Sequence, residues 1–403
     1  MSTASRGDPA PPRRTALVAG LSAPMGFGAA VRRPRHPDAI RLLSGLPDPG
    51  VLPTRELADA AARVLAEPGV PALQYSRTEG IPLLREWIAA REGLPPERIV
   101  ITNGGFHGLA LALQSVVEPG EPVAVDDPIF PLFLRSLELV TGTTLPVRVG
   151  PRGLDVDRLA DLLRGGARPV AAYTVPDFHN PSQGTLPTEA RAELVRLAEH
   201  HGFMVLADNP YRELRFRGEP QGTGPFNASS HVIHVNTFTK TLGPGLRLGW
   251  LVLPDPLVPD VVALHARYDL HTSTFVQAAV AELLTAEPSR FDTVLERARA
   301  TYRERADALA GALEREAPGA FELDPPEGGL FLWPRIADDR VDPDRLADDA
   351  SAEGVEYARG SYFASGPGTD ADRRLRLAYG DVPVARLEEA ATRIGRALRR
   401  QVG

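Results

Sequence analysis

Lys240 is the only lysine among the 403 residues, although lysine and arginine together account for 45 of them. An arginine side chain keeps its proton at every workable pH, whereas a lysine amine that has lost its proton can attack a carbonyl group and form a Schiff base. A composition biased towards arginine could also leave one lysine on the surface by chance. The residues around Lys240, from Asn236 to Gly249, favour the chemical interpretation.

A glycine-rich turn, Asn103 to Gly108, follows a predicted strand and precedes an apolar helix that starts near Leu109. Backbone N–H groups and the positive end of the helix dipole would converge there, so the turn is a candidate phosphate site. A simple tight turn has the same sequence, and a nicotinamide-dependent dehydrogenase could use such a turn with Asp126 holding a ribose. Against the dehydrogenase, Asn103 stands where its first glycine should be, and Lys240 stays unexplained.

Asp208 follows the predicted strand 203–207, and Tyr211 comes three residues later. A carboxylate at a strand end can hold a protonated ring nitrogen, which keeps a pyridine cationic and lets it accept electrons from a carbanion. An aspartate after a strand is also a common loop or capping residue. Asn180 precedes Pro181 at the end of a similar loop, where the Asn-Pro pair by itself indicates only a turn.

The elements that must position these residues show a regular alternation. Between about residues 50 and 290, short β-rich runs alternate with helical periodicity, which predicts a mostly parallel sheet with helices on both faces. The predicted strands are 98–102, 122–125, 170–174, 203–207, 232–235 and 249–253, and the predicted helices include 54–65 and 188–201. Prolines at 254–259 predict a loop. The candidate residues therefore fall at strand ends, where open α/β sheets bind their ligands.

The pattern changes after a long charged helix at about 287–315, and the remainder predicts a smaller α+β domain. The predicted fold class is α/β, with a large domain built on a mostly parallel sheet of the seven-stranded type and a small domain formed by the N-terminal segment and the C-terminal part. The predicted divisions are a disordered tail at 1–14, an N-terminal segment at 15–53 that joins the small domain, a large domain at 54–290 and a small C-terminal domain at 291–403.

Composition excludes several classes of function. A net charge of −7 without basic blocks argues against nucleic acid and membrane surfaces as partners. The absence of cysteine removes disulfides, thiolate metal sites and cysteine nucleophiles together, and the scattered histidines make a metal site improbable. No apolar run is long enough to span a membrane, and we expect a cytoplasmic protein.

Taken together, these residues resemble the fold-type I family of pyridoxal-phosphate (PLP) enzymes, in particular the class I and II aminotransferases. The strongest match is the pattern Thr237-x-Thr-Lys-x-x-x-Pro-Gly-x-Arg-x-Gly249, and the resemblance covers nearly everything from about Arg41 to the C-terminus. The segments 44–49, 74–80 and 270–277 are most similar to the subgroup that contains aminoadipate and kynurenine aminotransferases.

This resemblance implies that PLP is the cofactor and that Lys240 carries it as a Schiff base and later moves the proton. Asp208 would pair with the ring nitrogen, while Asn180 and Tyr211 would hydrogen-bond the phenolic oxygen. Phe130 stands where the family usually has a tyrosine stacked on the ring, so stacking is kept and the hydroxyl is lost. The phosphate would be held by Gly104, Gly105, Phe106, Thr237, Thr239 and Arg247.

The resemblance also implies a substrate site and a dimer. Arg376 would bind the substrate α-carboxylate with Gly45 close by, and strand alternation predicts that Arg374 shares the same face. The other interpretation of these arginines is the solvated face of an edge strand. Tyr75 matches a residue that reaches the phosphate of the neighbouring subunit, which implies a homodimer with shared active sites.

Phe130 and three further departures from the family pattern suggest an unusual substrate or a diverted reaction. His107 follows the phosphate turn where glutamine is more usual. The loop from Asn180 to Gly184 has one residue more than the common Asn-Pro-Thr-Gly, and Arg359 stands where proline is common.

The predicted function is transfer of an amino group between an L-amino acid and a 2-oxo acid by a ping-pong cycle. The same scaffold also supports elimination, replacement, decarboxylation and oxidation in specialised metabolism, because the ring only stabilises the carbanion. A further alternative is a transcription regulator with an aminotransferase-like domain. Specificity for the substrate side chain would be set by the N-terminal segment at about residues 20–50 and by loops.

Overall fold

The computed structural model describes residues 13–21, 36–67, 72–366 and 369–402. Residues 1–12 of the predicted tail and residues 22–35 of the N-terminal segment lie outside the described residues. The strands are β1 Ile40–Leu42, β2 Ile99–Thr102, β3 Pro122–Asp127, β4 Thr143–Gly150, β5 Gly153–Leu154, β6 Ala171–Thr174, β7 Met204–Asp208, β8 Val232–Thr237, β9 Gly249–Val252, β10 Phe321–Glu322, β11 Phe331–Leu332, β12 Arg335–Ile336, β13 Val355–Arg359 and β14 Leu375–Ala378. The helices are α1 Ala16–Gly20, α2 Thr54–Ala66, α3 Pro82–Glu92, α4 Gly105–Val116, α5 Pro131–Glu138, α6 Val156–Arg164, α7 Thr188–His201, α8 Gly224–Ala228, α9 Val258–Tyr268, α10 Thr274–Thr285, α11 Arg290–Glu316, α12 Pro343–Ala352 and α13 Val384–Val402.

An eight-stranded sheet forms the centre of the large domain, in the order β2-β9-β8-β7-β6-β3-β4-β5. The strands from β8 to β4 in this order are parallel, whereas β9 is antiparallel to both its neighbours and β5 is antiparallel to β4. The mostly parallel α/β class is confirmed. The count is eight strands rather than seven, and the strand predictions missed β4 and β5. β4 contains Pro146 and Arg148 and is exposed along much of its length, so it lacks the continuous apolar run of a central strand.

Side chains of the central strands alternate between two apolar cores, one on each face of the sheet. Val123 and Val125 of β3 belong to the core that includes Leu111 of α4. Ala124, between them, belongs to the opposite core with Leu159 of α6. Because helices cover both faces, the central strands are mostly apolar until their last residues, which is why short apolar runs predicted them.

One edge of the sheet collects the ends of several strands. Thr102 of β2 and Thr237 of β8 both pair with Gly249, the first residue of β9. Asp208 ends β7, the neighbour of β8, and Thr174 ends β6 next to it. The loops that leave this edge therefore converge, as they do at ligand sites of open α/β sheets.

A four-stranded sheet in the order β1-β13-β14-β11 forms the centre of the small domain. β1 precedes the large sheet in the chain and pairs in parallel with β13. The N-terminal segment therefore joins the C-terminal part, and α13 packs against α11 beside this sheet. The precise domain boundaries stay a prediction.

Two further findings concern helices. The prediction of a loop at 254–259 was wrong, because a single 3-10 turn at 255–257 leads directly into α9, which has Pro259 in its first turn. Proline is tolerated there because the first N–H groups of a helix have no partner within it. Among the described residues, no helix combines the length and the apolar character needed to cross a bilayer.

Candidate active site

A cavity of about 280 Å³ opens at the edge where the parallel strands end. It brings together most of the predicted site residues. Those that line it are Gly45, Gly105, Phe106, Phe130, Asn180, Asp208, Tyr211, Thr237, Thr239, Lys240 and Arg247. The sequence analysis missed other lining residues, among them Leu46, Leu132 and Phe331.

Lys240 ends a short 3-10 turn that follows β8 directly. Its Nζ donates a hydrogen bond to the Gly45 carbonyl oxygen at 2.8 Å. Burial, reinforced by the charge of Arg376, lowers the pKa of Lys240 to about 8, although Asp208 opposes this shift. An amine with that pKa is partly uncharged near neutral pH, so it can act as a nucleophile and carry protons.

Asp208 is the last residue of β7, and its side chain is buried. Burial raises the pKa of Asp208 to about 7, while a hydrogen bond from Tyr173 and the charge of Lys240 oppose the shift. The Tyr173 hydroxyl donates to Asp208 Oδ2 at 3.1 Å, and its ring stacks on Phe133 with 3.6 Å between centroids. Burial removes the water that would stabilise the charged carboxylate of Asp208, and a neighbouring cation would compensate for this loss. The carboxylate is therefore suited to bind a positively charged partner.

Arg376 lies behind one wall of the cavity and does not line its surface. Its Nη1 donates to Asn180 Oδ1 at 3.0 Å, and its Nη2 donates to the Leu43 carbonyl oxygen. The guanidinium lies over the rings of Phe331 and Phe363, 4.5 and 4.8 Å from their centres. Burial lowers the pKa of Arg376 to about 9, so the group remains charged at neutral pH.

Tyr211 shares this wall and is buried. Burial raises the pKa of its hydroxyl, while the charge of Arg376 and a hydrogen bond with Asn180 oppose the shift. The Lys240 Nζ lies 5.9 Å from the centre of the Tyr211 ring. The hydroxyl is therefore protonated and can donate a hydrogen bond to an oxygen in the cavity.

The N-terminus of α4 has the features of an anion site. No side chain caps this helix, and its N-cap residue, Gly104, has a φ of 84°. A Cβ on Gly104 would lie 2.7 Å from Arg247 Nη2, and a Cβ on Gly249 would lie 2.7 Å from both Gly105 N and the Asn236 carbonyl oxygen. The glycines thus bring uncapped N–H groups close to the cavity, as at other phosphate sites.

Thr237, Thr239 and Arg247 add side-chain donors beside that helix end. The two threonine hydroxyls lie 2.7 Å apart, and Thr237 Oγ1 also donates to the Leu248 carbonyl oxygen at 3.0 Å. Arg247 has a φ of 50°, and its Nη2 donates to the Asn103 carbonyl oxygen at 3.3 Å. Hydroxyls, a guanidinium and an uncapped helix end form the donor set that a phosphate requires, so these residues fit the phosphate of PLP.

Apolar side chains form the other walls. Phe130 precedes α5, Val175 follows β6, and Phe331 belongs to β11 of the small domain. Gly45 makes room for Phe331, because a Cβ at position 45 would lie 2.4 Å from Cζ of that ring. The cavity thus combines apolar walls with Lys240, the carboxylate of Asp208 and the anion site at the N-terminus of α4. This combination fits a planar charged ring that carries a phosphate, such as PLP.

Arg374, which strand alternation places on the same face as Arg376, does not line the cavity. β14 begins at Leu375, and Arg374 lies just before it. The Arg374 Nε donates to Asp370 Oδ2 at 2.7 Å, and its Nη1 donates to the Trp333 carbonyl oxygen at 3.2 Å. These two bonds hold the Arg374 side chain outside the cavity.

Tyr75 does not line the cavity of its own chain. It is 81% exposed, and its ring packs edge-on against His271 with 5.8 Å between centroids. Leu73, Tyr268 and Leu270, which are close to these two residues in the sequence, are also largely exposed. Exposed apolar side chains in one region indicate a surface that binds another molecule.

A polar cluster of His107, His265 and Asp269 braces the loop before α4. Their possible metal-ligand atoms all lie within 4.8 Å of one another, although the sequence showed only scattered histidines. Asp269 accepts a hydrogen bond from Asn103 Nδ2 and lies 2.9 Å from His265 Nε2, while Asn103 N donates to His107 Nδ1 at 3.1 Å. Burial lowers the pKa of both histidines, so they are uncharged at neutral pH. The cluster ties the phosphate turn to the end of α9.

Known proteins resemble this chain along most of its length. The sequence profile of the family "Aminotransferase class I and II" matches residues 38–394. A 2-aminoadipate transaminase from Thermus thermophilus is 35% identical over 371 residues, which cover 91% of each chain. The crystal structure of the alpha-aminoadipate aminotransferase LysN from Thermus thermophilus, complexed with N-(5′-phosphopyridoxyl)-L-leucine, has a TM-score of 0.83 at 33% identity and covers 91% of this chain and 93% of that chain. The HTH-type transcriptional regulator TauR of Rhodobacter capsulatus is 34% identical over 333 residues, 80% of this chain and 66% of the regulator.

Proposed function

The chain belongs to the class I and II aminotransferase family, and from that premise we propose how its cavity residues divide the work of amino-group transfer. The protein is a PLP-dependent aminotransferase that exchanges an amino group between an amino acid and a 2-oxo acid. Its resemblance to the aminoadipate aminotransferase subgroup is confirmed. The proposal that the reaction takes place in this cavity is supported by Lys240, the only lysine in the sequence, whose amine has a pKa lowered to about 8.

PLP, when bound, supplies an aldehyde that can join an amino group and a ring that withdraws electrons from the substrate α-carbon. Its phosphate fits the uncapped end of α4, where Gly104 allows the close approach of the chain. The groups that would bind this phosphate are the backbone N–H groups of Gly105 and Phe106, the hydroxyls of Thr237 and Thr239 and the guanidinium of Arg247.

Asp208 would hold a protonated ring nitrogen, because an ion pair compensates the carboxylate for its burial. Tyr211 and Asn180, which also line the cavity, would hydrogen-bond the phenolic oxygen. Phe130 would pack on the face of the ring, and its lack of a hydroxyl leaves no further donor at that position.

Lys240 would attach the cofactor and move a proton to and from the substrate α-carbon. Because its pKa of about 8 lies near physiological pH, the amine can both take up and release that proton. The Gly45 carbonyl oxygen, 2.8 Å from Nζ, holds the amine in the cavity when it is not bonded elsewhere.

Arg376 would bind the α-carboxylate that all amino acids and 2-oxo acids share. Its charge persists at neutral pH, and Asn180 fixes the direction of Nη1. Gly45, in the segment after β1, would approach the same carboxylate, since the lack of a side chain leaves room beside Phe331.

A homodimer with shared active sites is the proposed working unit. Tyr75 is exposed, lies outside its own cavity and belongs to an apolar surface with Leu73, Tyr268 and Leu270, which supports contact with a second copy. A cytoplasmic location also stays a prediction.

Hybrid dimers test the shared sites. If Tyr75 serves the partner's cavity, mixing Lys240→Ala and Tyr75→Ala chains restores roughly a quarter of wild-type activity, because half of randomly assembled dimers hold one intact site. Failure of mixed dimers to exceed the sum of the two parents would show that each chain uses its own Tyr75.

A labelling experiment tests the function directly. Borohydride reduction of the protein with PLP should attach one cofactor to the peptide that contains Lys240, and Lys240→Ala should take up none. Given an amino acid alone, the wild-type protein should convert its bound PLP stoichiometrically to pyridoxamine phosphate. Release of ammonia, carbon dioxide or hydrogen peroxide with the cofactor unchanged would identify a lyase, a decarboxylase or an oxidase instead. Cofactor binding without transfer to any 2-oxo acid would favour a regulator.

A further inference from the structure

Gln183 links a loop of the large domain to the small domain. Its Nε2 donates a hydrogen bond to the Phe331 carbonyl oxygen, and its Oε1 accepts one from Trp333 N at 3.2 Å. The side-chain amide therefore pairs with the backbone of β11 as a neighbouring strand would. Because the amide nitrogen donates and the amide oxygen accepts, the two hydrogen bonds fix the orientation of the Gln183 side chain.

The backbone of Gln183 is in a conformation that favours glycine. Its φ is 66°, in the left-handed region. Gly184 follows it, and a Cβ on Gly184 would clash with the backbone of Gly150 and Gly153. The glycine of the usual Asn-Pro-Thr-Gly motif is suited to such a position, and here a glutamine occupies it. A residue other than glycine persists in this region when its contacts compensate for the strain, and such positions cluster at functional sites.

Buried polar contacts hold the base of this loop. His179 Nε2 lies 3.1 Å from Asp126 Oδ2, and both side chains are fully buried. Asp126 also accepts a hydrogen bond from Val175 N at 3.0 Å, and Gln183 N donates to the His179 carbonyl oxygen at 2.7 Å. Gln183 is therefore anchored to the central sheet and can fix the position of what it contacts.

The backbone that Gln183 contacts carries a wall of the active site. Phe331 lines the cavity, lies 4.5 Å from the Arg376 guanidinium and packs edge-on against Tyr211 with 5.8 Å between centroids. A shift of β11 would move this ring relative to the guanidinium. The same loop also supplies Asn180, which bonds Arg376 directly.

We propose that Gln183 is a positioning residue that sets the affinity for the substrate carboxylate by fixing Phe331 against Arg376. The proposal rests on the proposed role of Arg376 in substrate binding. Because every amino acid and 2-oxo acid has this carboxylate, Gln183 affects all substrates to the same extent and does not select among their side chains. It does not contact the phosphate site, so cofactor affinity is independent of it.

The variant Gln183→Gly tests this, since it relieves the positive φ and removes both side-chain hydrogen bonds. The KM for the amino acid, the KM for the 2-oxo acid and the dissociation constant of propionate should each rise about tenfold, as expected for one or two net hydrogen bonds. The kcat and the dissociation constant of PLP should change less than about threefold, and the melting temperature should not fall. Gln221→Gly is the matched control, because Gln221 bonds Thr188 outside the active site.

The proposal is overturned if the holoenzyme carrying Gln183→Gly keeps wild-type KM values and wild-type propionate affinity. It is equally overturned if propionate does not bind the wild-type holoenzyme, or if PLP affinity falls as much as propionate affinity. Propionate binding is measured from the melting temperature and needs no turnover. A wild-type protein that binds propionate but transfers no amino group therefore contradicts the proposed function, whereas the comparison of the two variants still decides the role of Gln183.

Discussion

The Tyr173 hydroxyl donates a hydrogen bond to Asp208 Oδ2 across the adjacent parallel strands β6 and β7, at 3.1 Å. Tyr173 is fully buried, and burial together with the charge of Asp208 raises the pKa of its hydroxyl well above the usual value. It therefore stays a donor throughout the working pH range. Its hydrogen bond favours the ionised form of Asp208, which is the form that an electron-withdrawing pyridinium requires.

Removal of this donor should weaken catalysis without disturbing the fold. Tyr173→Phe keeps the ring that stacks on Phe133 and raises the pKa of Asp208. We expect kcat/KM to fall about tenfold, the effect of one hydrogen bond to a charged group, with the acidic limb of its pH profile at higher pH. Tyr357→Phe is the matched control, since within the described residues the buried Tyr357 hydroxyl has no hydrogen-bond partner. An unchanged pH profile in Tyr173→Phe would contradict the role given to this contact.

The raised pKa of Asp208 makes the stability of the cofactor-free protein depend on pH. The folded protein holds this proton up to about pH 7, whereas the unfolded chain releases it near pH 4, so stability falls as the pH rises through this window. Asp208→Asn removes the cost of the buried charge. It should therefore melt at a higher temperature than the wild type at pH 8, by an amount equivalent to about 2–4 kcal/mol, with little difference near pH 4. Calorimetry of both cofactor-free proteins at the two pH values measures this, and an equal difference at both would contradict it.

β9 packs so closely against the phosphate turn that one added methyl group on Gly249 should weaken PLP binding. Gly249→Ala places a Cβ 2.7 Å from Gly105 N, so the turn must move and its N–H groups leave their positions. We expect PLP affinity to fall about tenfold or more, while affinity for pyridoxal, which has no phosphate, changes little. Gly245→Ala is the matched control, because a Cβ there meets nothing within 4 Å. Equal losses for PLP and pyridoxal would show that the methyl group disturbs the whole cavity.

Arg376 and Arg374 form a natural pair for testing the carboxylate site. Arg376→Gln should raise the KM for every amino acid about a hundredfold, because a charge-assisted bond to the carboxylate is lost. Arg374→Gln should change it less than twofold, since Arg374 is bonded to Asp370 outside the cavity. Steady-state kinetics with several amino acids separates these outcomes. A similar rise in KM for both variants would remove Arg376 from its proposed role.

Local sequence signals predicted the parts of the site that strand ends carry. Asp208 follows an apolar run that forms a buried strand, so the end of this run also indicated the position of its side chain. Thr237 was identified only through the family resemblance, and it ends the next strand of the sheet. The phosphate turn was predictable because its glycines and the apolar helix after it are contiguous in the sequence. The edge strand β4 was missed because partial exposure removes the apolar run on which the prediction depends.

Contacts between distant segments could not be predicted from the sequence. Tyr173 meets Asp208 only through the register of β6 and β7, and Phe331 reaches the cavity only because the two domains pack together. Strand alternation also could not show that the Arg374 side chain is bonded to Asp370 outside the cavity. The positive φ of Gln183 likewise depends on its long-range partners, since its sequence neighbours suggested only a longer loop.

Reagents that react with amines can modify one side chain of this protein, Lys240, and this side chain lines the cavity. In a protein with many surface lysines, most aldehydes and acylating agents react with lysines that have no role in catalysis. Here Lys240 is the only side-chain amine. With the role proposed for Lys240, each such modification would inactivate one site, and a ligand that fills the cavity would protect it.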